Sequence, residues 1–260
     1  MVQGGLISSV YPEILLPLLF GAAFIAGLID SIAGGGGLIT VPVLLGIGLP
    51  PQIALGTNKL QASFGSGSAM LHFVRAGTVK LSDCRVGIVW TAIGAALGVW
   101  AVQLLDATIL KQLIPWLLAA IAVYTFLSPR LGAEDSHARM SPGPFYLLCG
   151  LSLGFYDGFF GPGTGSFWTM ALMMMLGYSM MRATATTKVM NFTSNFVALI
   201  FFLSVGQVRF VEGIVMGIGQ FAGARVGSKL VIKSGTAFIR PVFITVVLVL
   251  VGRLIYLNFR

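Results

Sequence analysis

Three long apolar runs constrain what this chain can fold into, because each is close to the length that crosses a lipid bilayer. The runs are Val86–Leu105, Ile109–Leu127 and Phe238–Leu257, and a helix needs about 20 apolar residues to span the hydrocarbon. Only 9% of the 260 residues are charged, whereas a typical soluble domain carries about 25%. The chain has too few charges to cover a surface in water. The sequence therefore predicts an all-α integral membrane protein.

The remaining composition argues against several other classes of protein. The net charge is +8, but the basic residues are scattered at segment ends, as loop anchors of membrane proteins are. Nucleic acid is therefore not expected as a partner. Cys84 and Cys149 have neither metal-ligand spacing nor a disulfide framework. The two histidines, His72 and His137, form no catalytic constellation, so neither an enzyme nor a cofactor is expected.

The chain contains two copies of one unit. A shift of 127 residues superimposes four residues around a glycine run of the first half on four of the second: Gly27, Asp30, Gly34 and Gly36 on Gly154, Asp157, Gly161 and Gly163. After a two-residue gap, a shift of 129 places Thr57 and Lys59 on Thr186 and Lys188. Such a register indicates a tandem duplication. We expect a first repeat over residues 1–128, a linker over 129–143 and a second repeat over 144–260.

Each repeat contains five apolar segments, of which the second is too short to cross a bilayer. In the first repeat the segments are Ile14–Ile32, Leu38–Leu49, Gln52–Val74, Val86–Leu105 and Ile109–Leu127. The second segment has 12 residues, which make about 18 Å of helix. We therefore expect a glycine-broken, re-entrant helix pair plus three spanning helices in each repeat. Whether the first segment crosses fully stays open at this point.

The distribution of basic residues predicts that the repeats are inverted. Lys and Arg favour cytoplasmic loops. The connection after the third segment carries Arg75, Lys80 and Arg85 in the first repeat, but only Arg209 in the second. The connection after the fourth segment shows the reverse: it carries Lys111 in the first repeat, and Lys229, Lys233 and Arg240 in the second. Opposite preferences at equivalent loops place the linker in the cytoplasm and both termini in the periplasm.

The glycine runs Gly34–Gly37 and Gly161–Gly163 are the first candidate site. Glycine permits sharp turns, and in a membrane a broken helix survives only where it is buried in protein or lines a cavity. The helix that follows each break begins with unpaired N–H groups and a positive dipole end, which suit an anion. The candidate anion-binding residues at the two breaks are Gly34, Gly35, Gly36, Gly37, Gly161, Gly163 and Thr164.

The third segments carry the second set of candidates. Lys59 and Lys188 lie in otherwise apolar spans, and an ionisable residue inside a membrane normally marks a transport pathway. Neutral side chains that can donate to oxyanions accompany them: Asn58, Gln61, Ser63, Thr187, Asn191 and Asn195. Thr57 lies in the same stretch and is a further candidate. Asp30 and Asp157 precede the breaks. Each could pair with a lysine, cap the short helix or carry a coupling proton, and the sequence leaves these roles open.

The ordered set of motifs resembles the sulfite exporter TauE/SafE family. The likeness rests on a glycine-rich break in each half, "GTNKLQ" from Gly56 and "TTKVMN" from Thr186, and extends from about Ile14 to Leu257. The resemblance implies a permease of the bacterial inner membrane that moves small sulfur-containing anions, such as sulfite or sulfonates. The implied partners are this anion and the lipid bilayer, and a homodimer is an open alternative.

Three other functions stay open. The run Met170–Met181 suggests a path for soft metal ions, which would make the protein a cation permease, although clustered methionine is commonly flexible packing. An anion channel would share the binding residues but would show no saturation and no response to a pH gradient. A membrane assembly factor would bind none of these solutes.

Overall fold

The computed structural model describes residues 12–127 and 137–234, and the regular structure in these ranges is helical. This confirms the predicted all-α class. The run Phe238–Leu257, most of the linker and both chain ends lie outside the described residues. The α-helices are α1 (Pro12–Ala33), α2 (Gly37–Gly46), α3 (Pro51–Arg75), α4 (Arg85–Gln103), α5 (Ala107–Leu127), α6 (Pro142–Phe159), α7 (Thr164–Leu176), α8 (Met180–Ser204) and α9 (Phe210–Ser234), with a short 3₁₀ helix at Leu81–Cys84.

The glycine runs interrupt the chain where the sequence predicts. Helix α1 ends at Ala33 and α2 begins at Gly37, while α6 ends at Phe159 and α7 begins at Thr164. Helix α2 has 10 residues and is therefore about 15 Å long. It is too short to cross a bilayer, as expected.

Each break reverses the chain into a helical hairpin. In the first hairpin, Leu44 near the end of α2 packs in one apolar cluster with Leu15 and Leu19 of α1. In the second, the N–H groups of Arg139 and Met140 donate to the carbonyl of Met175, at 2.9 and 3.1 Å. The end of each short helix therefore lies beside the start of the longer helix before it.

Small residues bring helices from the two halves into backbone contact. A Cβ atom on Gly94 or Gly98 of α4 would overlap the carbonyl oxygens of Leu151 or Phe155 of α6. Since the contacting residue in α6 moves forward along the chain as the glycine in α4 does, α4 and α6 run parallel. Corresponding contacts join α9 to α1, where Gly223 and Gly227 lie on the carbonyls of Phe24 and Leu28. These four glycines therefore serve helix packing, the role that glycine spaced four residues apart has in membrane helices.

Helices α3 and α8 pack antiparallel at the centre of the molecule. A Cβ on Gly56 would lie 3.0 Å from the ring of Phe202, whereas a Cβ on Gly67 would lie 3.1 Å from the ring of Phe192. As the residue number rises in α3, that of its neighbour in α8 falls. Both helices are polar inside, because Lys59 and Lys188 are fully buried in the described structure.

The outside of the helix assembly is apolar. Among the described residues, three helical stretches are long and apolar enough to cross a membrane: Glu13–Ile32, Leu81–Gln103 and Met180–Ser204. Large apolar side chains such as Leu18, Trp100 and Val211 are about 60% exposed. An exposed apolar band around a polar interior suits a lipid environment. The first segment is thus long enough to cross a membrane by length and composition.

Candidate functional site

The two helix breaks touch each other. The N–H of Ser166 donates to the carbonyl of Gly34 at 3.2 Å, and a Cβ on Gly34 or on Gly165 would overlap the backbone of the other glycine. Gly34 has a φ of +75° and Gly161 one of +101°, a region that side-chain-bearing residues rarely adopt. Glycine is therefore needed here both for the turn and for the close approach of the two backbones.

A buried ion pair joins α3 to the end of α6. The Lys59 ammonium donates to Asp157 Oδ1 at 2.7 Å, and the two side chains are 0% and 3% exposed. The same ammonium also donates to the backbone carbonyl of Asp157. The other carboxylate oxygen, Oδ2, accepts from Ser194 of α8. Both oxygens of Asp157 thus have partners in this conformation.

A second ion pair joins α8 to α1 in the corresponding manner. Lys188 Nζ donates to Asp30 Oδ2 at 3.1 Å, and also to the carbonyl of Asp30. Asp30 Oδ1 accepts from the N–H of Gly36 at 3.1 Å, so this carboxylate also caps the start of α2. Each lysine therefore neutralises the carboxylate of the other half, and Asp30 combines two of the three roles that the sequence left open.

A small polar cavity lies between the two breaks. Its volume is ≈ 30 Å³, enough for about two water molecules. Two buried amide oxygens of its lining, Asn191 Oδ1 and Gln220 Oε1, have no hydrogen-bond partner among the described residues. The cavity is lined by Asp30, Gly34, Gly37, Asn58, Ala62, Asp157, Gly161, Gly163, Thr164, Gly165, Asn191, Asn195 and Gln220.

Other sequence-predicted residues lie beside this cavity rather than in its lining. Gln61 donates to Asn58 Oδ1 at 2.7 Å, so it supports a lining residue from behind. Thr187 lies 3.0 Å from the hydroxyl of Thr169 in α7. Thr57 accepts the N–H of Arg209 and so contacts the start of α9. Gly35 and Gly36 are buried in the break, and Lys59 and Lys188 reach the site through their carboxylate partners.

Sequence reasoning missed three lining residues: Ala62, Gly165 and Gln220. Gln220 of α9 lies opposite Gly65, where a Cβ would come within 2.5 Å of the glutamine side chain. The residue that corresponds to Gly65 in the second repeat is Ser194. The missing side chain at Gly65 leaves the space that Gln220 occupies. Glycine at position 65, where the second repeat has serine, is the one signal in the sequence for the position of Gln220.

The methionine run, which suggested a path for soft metal ions, packs against the apolar core in the described structure. Within residues 12–127 and 137–234, no group of three His, Cys, Asp or Glu side chains could hold a metal ion. Met173, Met175 and Met181 are partly buried and pack against the apolar core. In the described structure these thioethers therefore contribute to packing.

An apolar helical shell around a buried, charged and glycine-lined cavity is the arrangement expected of a membrane transport protein. The model of the Sulfite exporter TauE/SafE family matches residues 19–254 of the chain. The chain therefore belongs to this family of membrane transporters, which is not a family of enzymes. The family membership that the motifs predicted is confirmed.

Several relatives resemble the chain over most of their length. It is 46% identical over 243 residues to the probable membrane transporter protein YfcA of Escherichia coli (strain K12), covering 94% of this chain and 90% of that protein. It is 46% identical over 242 residues to a probable membrane transporter protein of Haemophilus influenzae (93% and 95% covered). The identity to ORF9, a probable membrane transporter protein of Sinorhizobium sp, is 47% over 241 residues (93% and 92% covered). No solved structure matches the chain.

Proposed function

We propose that the protein is a secondary transporter of small sulfur-containing anions, such as sulfite or organosulfonates, and that the anion binds between the two helix breaks. The observation that carries this proposal is the contact between the breaks, Ser166 N–H to Gly34 carbonyl. It brings the first turns of α2 and α7 to one cavity at Gly37 and Thr164. Helix N-termini in a site with little water attract an anion strongly.

The side chains of the cavity complement this backbone site. Asn58, Asn191 and Asn195 line it, and their amide N–H groups can donate to oxyanion oxygens. Lys59 and Lys188 supply positive charge at its edge but are each neutralised by a carboxylate. Two buried lysines paired with two carboxylates make the empty site nearly neutral, which limits the cost of burying the charges.

The ion pairs give a physical reason for proton coupling. When Asp157 or Asp30 takes up a proton, its lysine keeps a positive charge that an anion can neutralise instead. Proton and anion would then enter together, because either alone leaves an uncompensated buried charge. The cavity of ≈ 30 Å³ holds about two water molecules, so a sulfonate enters only when the hairpins part. Transport by alternating opening at the two faces follows from this requirement.

The antiparallel packing of α3 and α8 supports two repeats of inverted topology. The exchanged pairs α1 with α9 and α4 with α6 fit the same arrangement, because corresponding helices make corresponding contacts. We therefore propose re-entrant hairpins followed by spanning helices, with repeats over residues 1–128 and 144–260 joined by a linker at 129–143. In a bacterial inner membrane this places the linker in the cytoplasm and both termini in the periplasm.

Uptake of labelled sulfite and of a panel of sulfonates into proteoliposomes, with and without a pH gradient, tests the proposal. We expect saturable uptake that an inward proton gradient accelerates, and loss of uptake in Lys59→Gln and Lys188→Gln. Lys111→Gln, an exposed lysine on α5, is the matched control and should transport normally. Uptake that does not saturate would indicate a channel. Replacement of Met173 and Met175 by leucine should have no effect, whereas loss of transport there would favour a soft-metal permease.

A further inference from the structure

A second and larger cavity opens at one end of the molecule. Its volume is ≈ 130 Å³, and it lies between the α3–α4 connection, the start of α6 and the turn from α7 to α8. Its rim carries the exposed side chains Lys80, Asp83 and Arg182. Its floor is polar and buried, since Tyr146, Cys84 and Thr186 are each 2% exposed. We call this cavity the vestibule; its lining also includes Gly77, Thr78, Val79 and Tyr178.

Among the described residues of the rim, basic side chains outnumber acidic ones, and their donors suit an oxyanion. Lys80 and Arg182 outnumber Asp83, which accepts a hydrogen bond from Ser82 at 3.0 Å. The Arg182 guanidinium lies 3.9 Å from the centre of the Tyr178 ring, a contact that fixes its position. A guanidinium has five N–H donors in a planar fork, which matches the paired oxygens of a sulfonate or phosphate.

The fold does not require this polar chamber, because the corresponding end of the other repeat is built differently. With the shift of 129, Arg182 and Tyr178 correspond to Ile53 and Leu49; with the shift of 127, Tyr146 corresponds to Leu19. Lys80 and Asp83 correspond to Arg209 and Glu212, which form an ion pair at 3.1 Å, so this part of the rim has the same charges at both ends. The other end thus has the apolar residues Ile53, Leu49 and Leu19 where the vestibule has an arginine and two tyrosines.

Helix α8 contributes lining residues to both the vestibule and the central cavity. Thr186 in the vestibule floor and Asn191 in the central cavity both belong to α8, five residues and about 7.5 Å apart along its axis. The vestibule also lies at the face that carries Arg75, Lys80 and Arg85, which the positive-inside rule assigns to the cytoplasm.

We propose that the vestibule binds small oxyanions of the sulfonate type at the cytoplasmic face and exchanges this substrate with the central cavity. The choice of a sulfonate as ligand and the term substrate rest on the proposed function. The binding site itself rests on the charged rim, the polar floor and the asymmetry between the two ends. The vestibule thereby makes the two faces of a symmetric fold chemically unequal.

Cys84 in the vestibule floor allows a test that does not depend on transport. On a Cys149→Ser background in nanodiscs of neutral lipid, the rate of mixed-disulfide formation at Cys84 is measured with an anionic sulfonatoethyl and a cationic trimethylammonioethyl methanethiosulfonate, each of which releases methanesulfinate. Both rates are normalised to a free thiol. We expect the anionic reagent to be favoured and methanesulfonate to protect the thiol. Arg182→Gln should reduce the preference for the anionic reagent roughly fivefold.

Two control variants distinguish binding in the vestibule from a general effect of surface charge and from transport. Arg75→Gln removes an exposed charge at the same face but outside the lining, and it should leave the preference unchanged. Lys59→Gln should abolish transport yet keep the protection of Cys84, so failure of the vestibule and failure of the proposed function are distinguishable. No charge preference, no reaction of Cys84, or protection by phosphatidylglycerol alone would overturn the proposal, the last because the site would then hold a lipid headgroup.

Discussion

Removal of the Lys59 ammonium is the perturbation whose cost follows most directly from the structure. In Lys59→Met the methionine keeps much of the side-chain volume, but the Asp157 carboxylate, 3% exposed, loses its cation. Its remaining side-chain partner is the Ser194 hydroxyl. Breaking a buried ion pair from one side costs about 3–5 kcal/mol. The double variant Lys59→Met/Asp157→Asn removes the uncompensated charge and should recover most of this loss.

The second ion pair and an exposed lysine provide the internal scale for this measurement. Lys188→Met should cost less than Lys59→Met, because the Asp30 side chain is 14% exposed and keeps the Gly36 N–H as a donor. Lys111→Met should change the free energy of unfolding by less than about 0.5 kcal/mol, as exposed substitutions do. Reversible unfolding in mixed micelles, followed by the intrinsic fluorescence of the four tryptophans, of which Trp168 is fully buried, measures all four variants. A Lys59→Met cost equal to that of Lys111→Met, or a double variant as unstable as the single one, would refute the reasoning.

Three further predictions follow from the glycine contacts and the cavity. Gly34→Ala should destabilise the protein by more than about 1 kcal/mol in thermal unfolding, because the φ of Gly34 is +75° and a Cβ there would overlap Gly165. The control Gly21→Ala, where a Cβ would have nothing within 4 Å, should be neutral or slightly stabilising. Gly98→Val should cost at least about 2 kcal/mol by separating α4 from α6, whereas Leu97→Ala, at a side chain 50% exposed, should cost far less. Gln220→Leu should raise the half-saturating sulfite concentration in proteoliposomes severalfold without destabilising the protein, and an unchanged value would remove Gln220 from the anion site.

The helix breaks could be predicted from the sequence because their cause is local. Gly34 and Gly161 adopt positive φ, which glycine allows and other residues disfavour, so the break is visible in the residue types themselves. Because a fixed shift relates the two repeats, the position of the first break predicts the position of the second. The short α2 followed from the length of its apolar run, since 10 residues of helix cannot span a bilayer.

The pairing of charges could not be predicted because it depends on how α3 and α8 cross. Asp30 could have met Lys59 or Lys188 in a sequence-based view, and the antiparallel packing selects Lys188. The position of Gln220 depends on the packing of α9 against α1 and α3, to which no periodicity within α9 points. Thr57 lies one residue before the lining residue Asn58, and at 100° per residue a helix turns such a neighbour away from the cavity.

The location of a bound anion tests the central claim most directly. Selenite has the charge and shape of sulfite, and its selenium scatters X-rays anomalously, so a crystal of the protein grown with selenite locates the ion. We predict an anomalous peak between the first turns of α2 and α7, near Gly37, Thr164 and Asn191. A peak at the surface loops alone, with none between the two helix breaks, would contradict the proposed binding site.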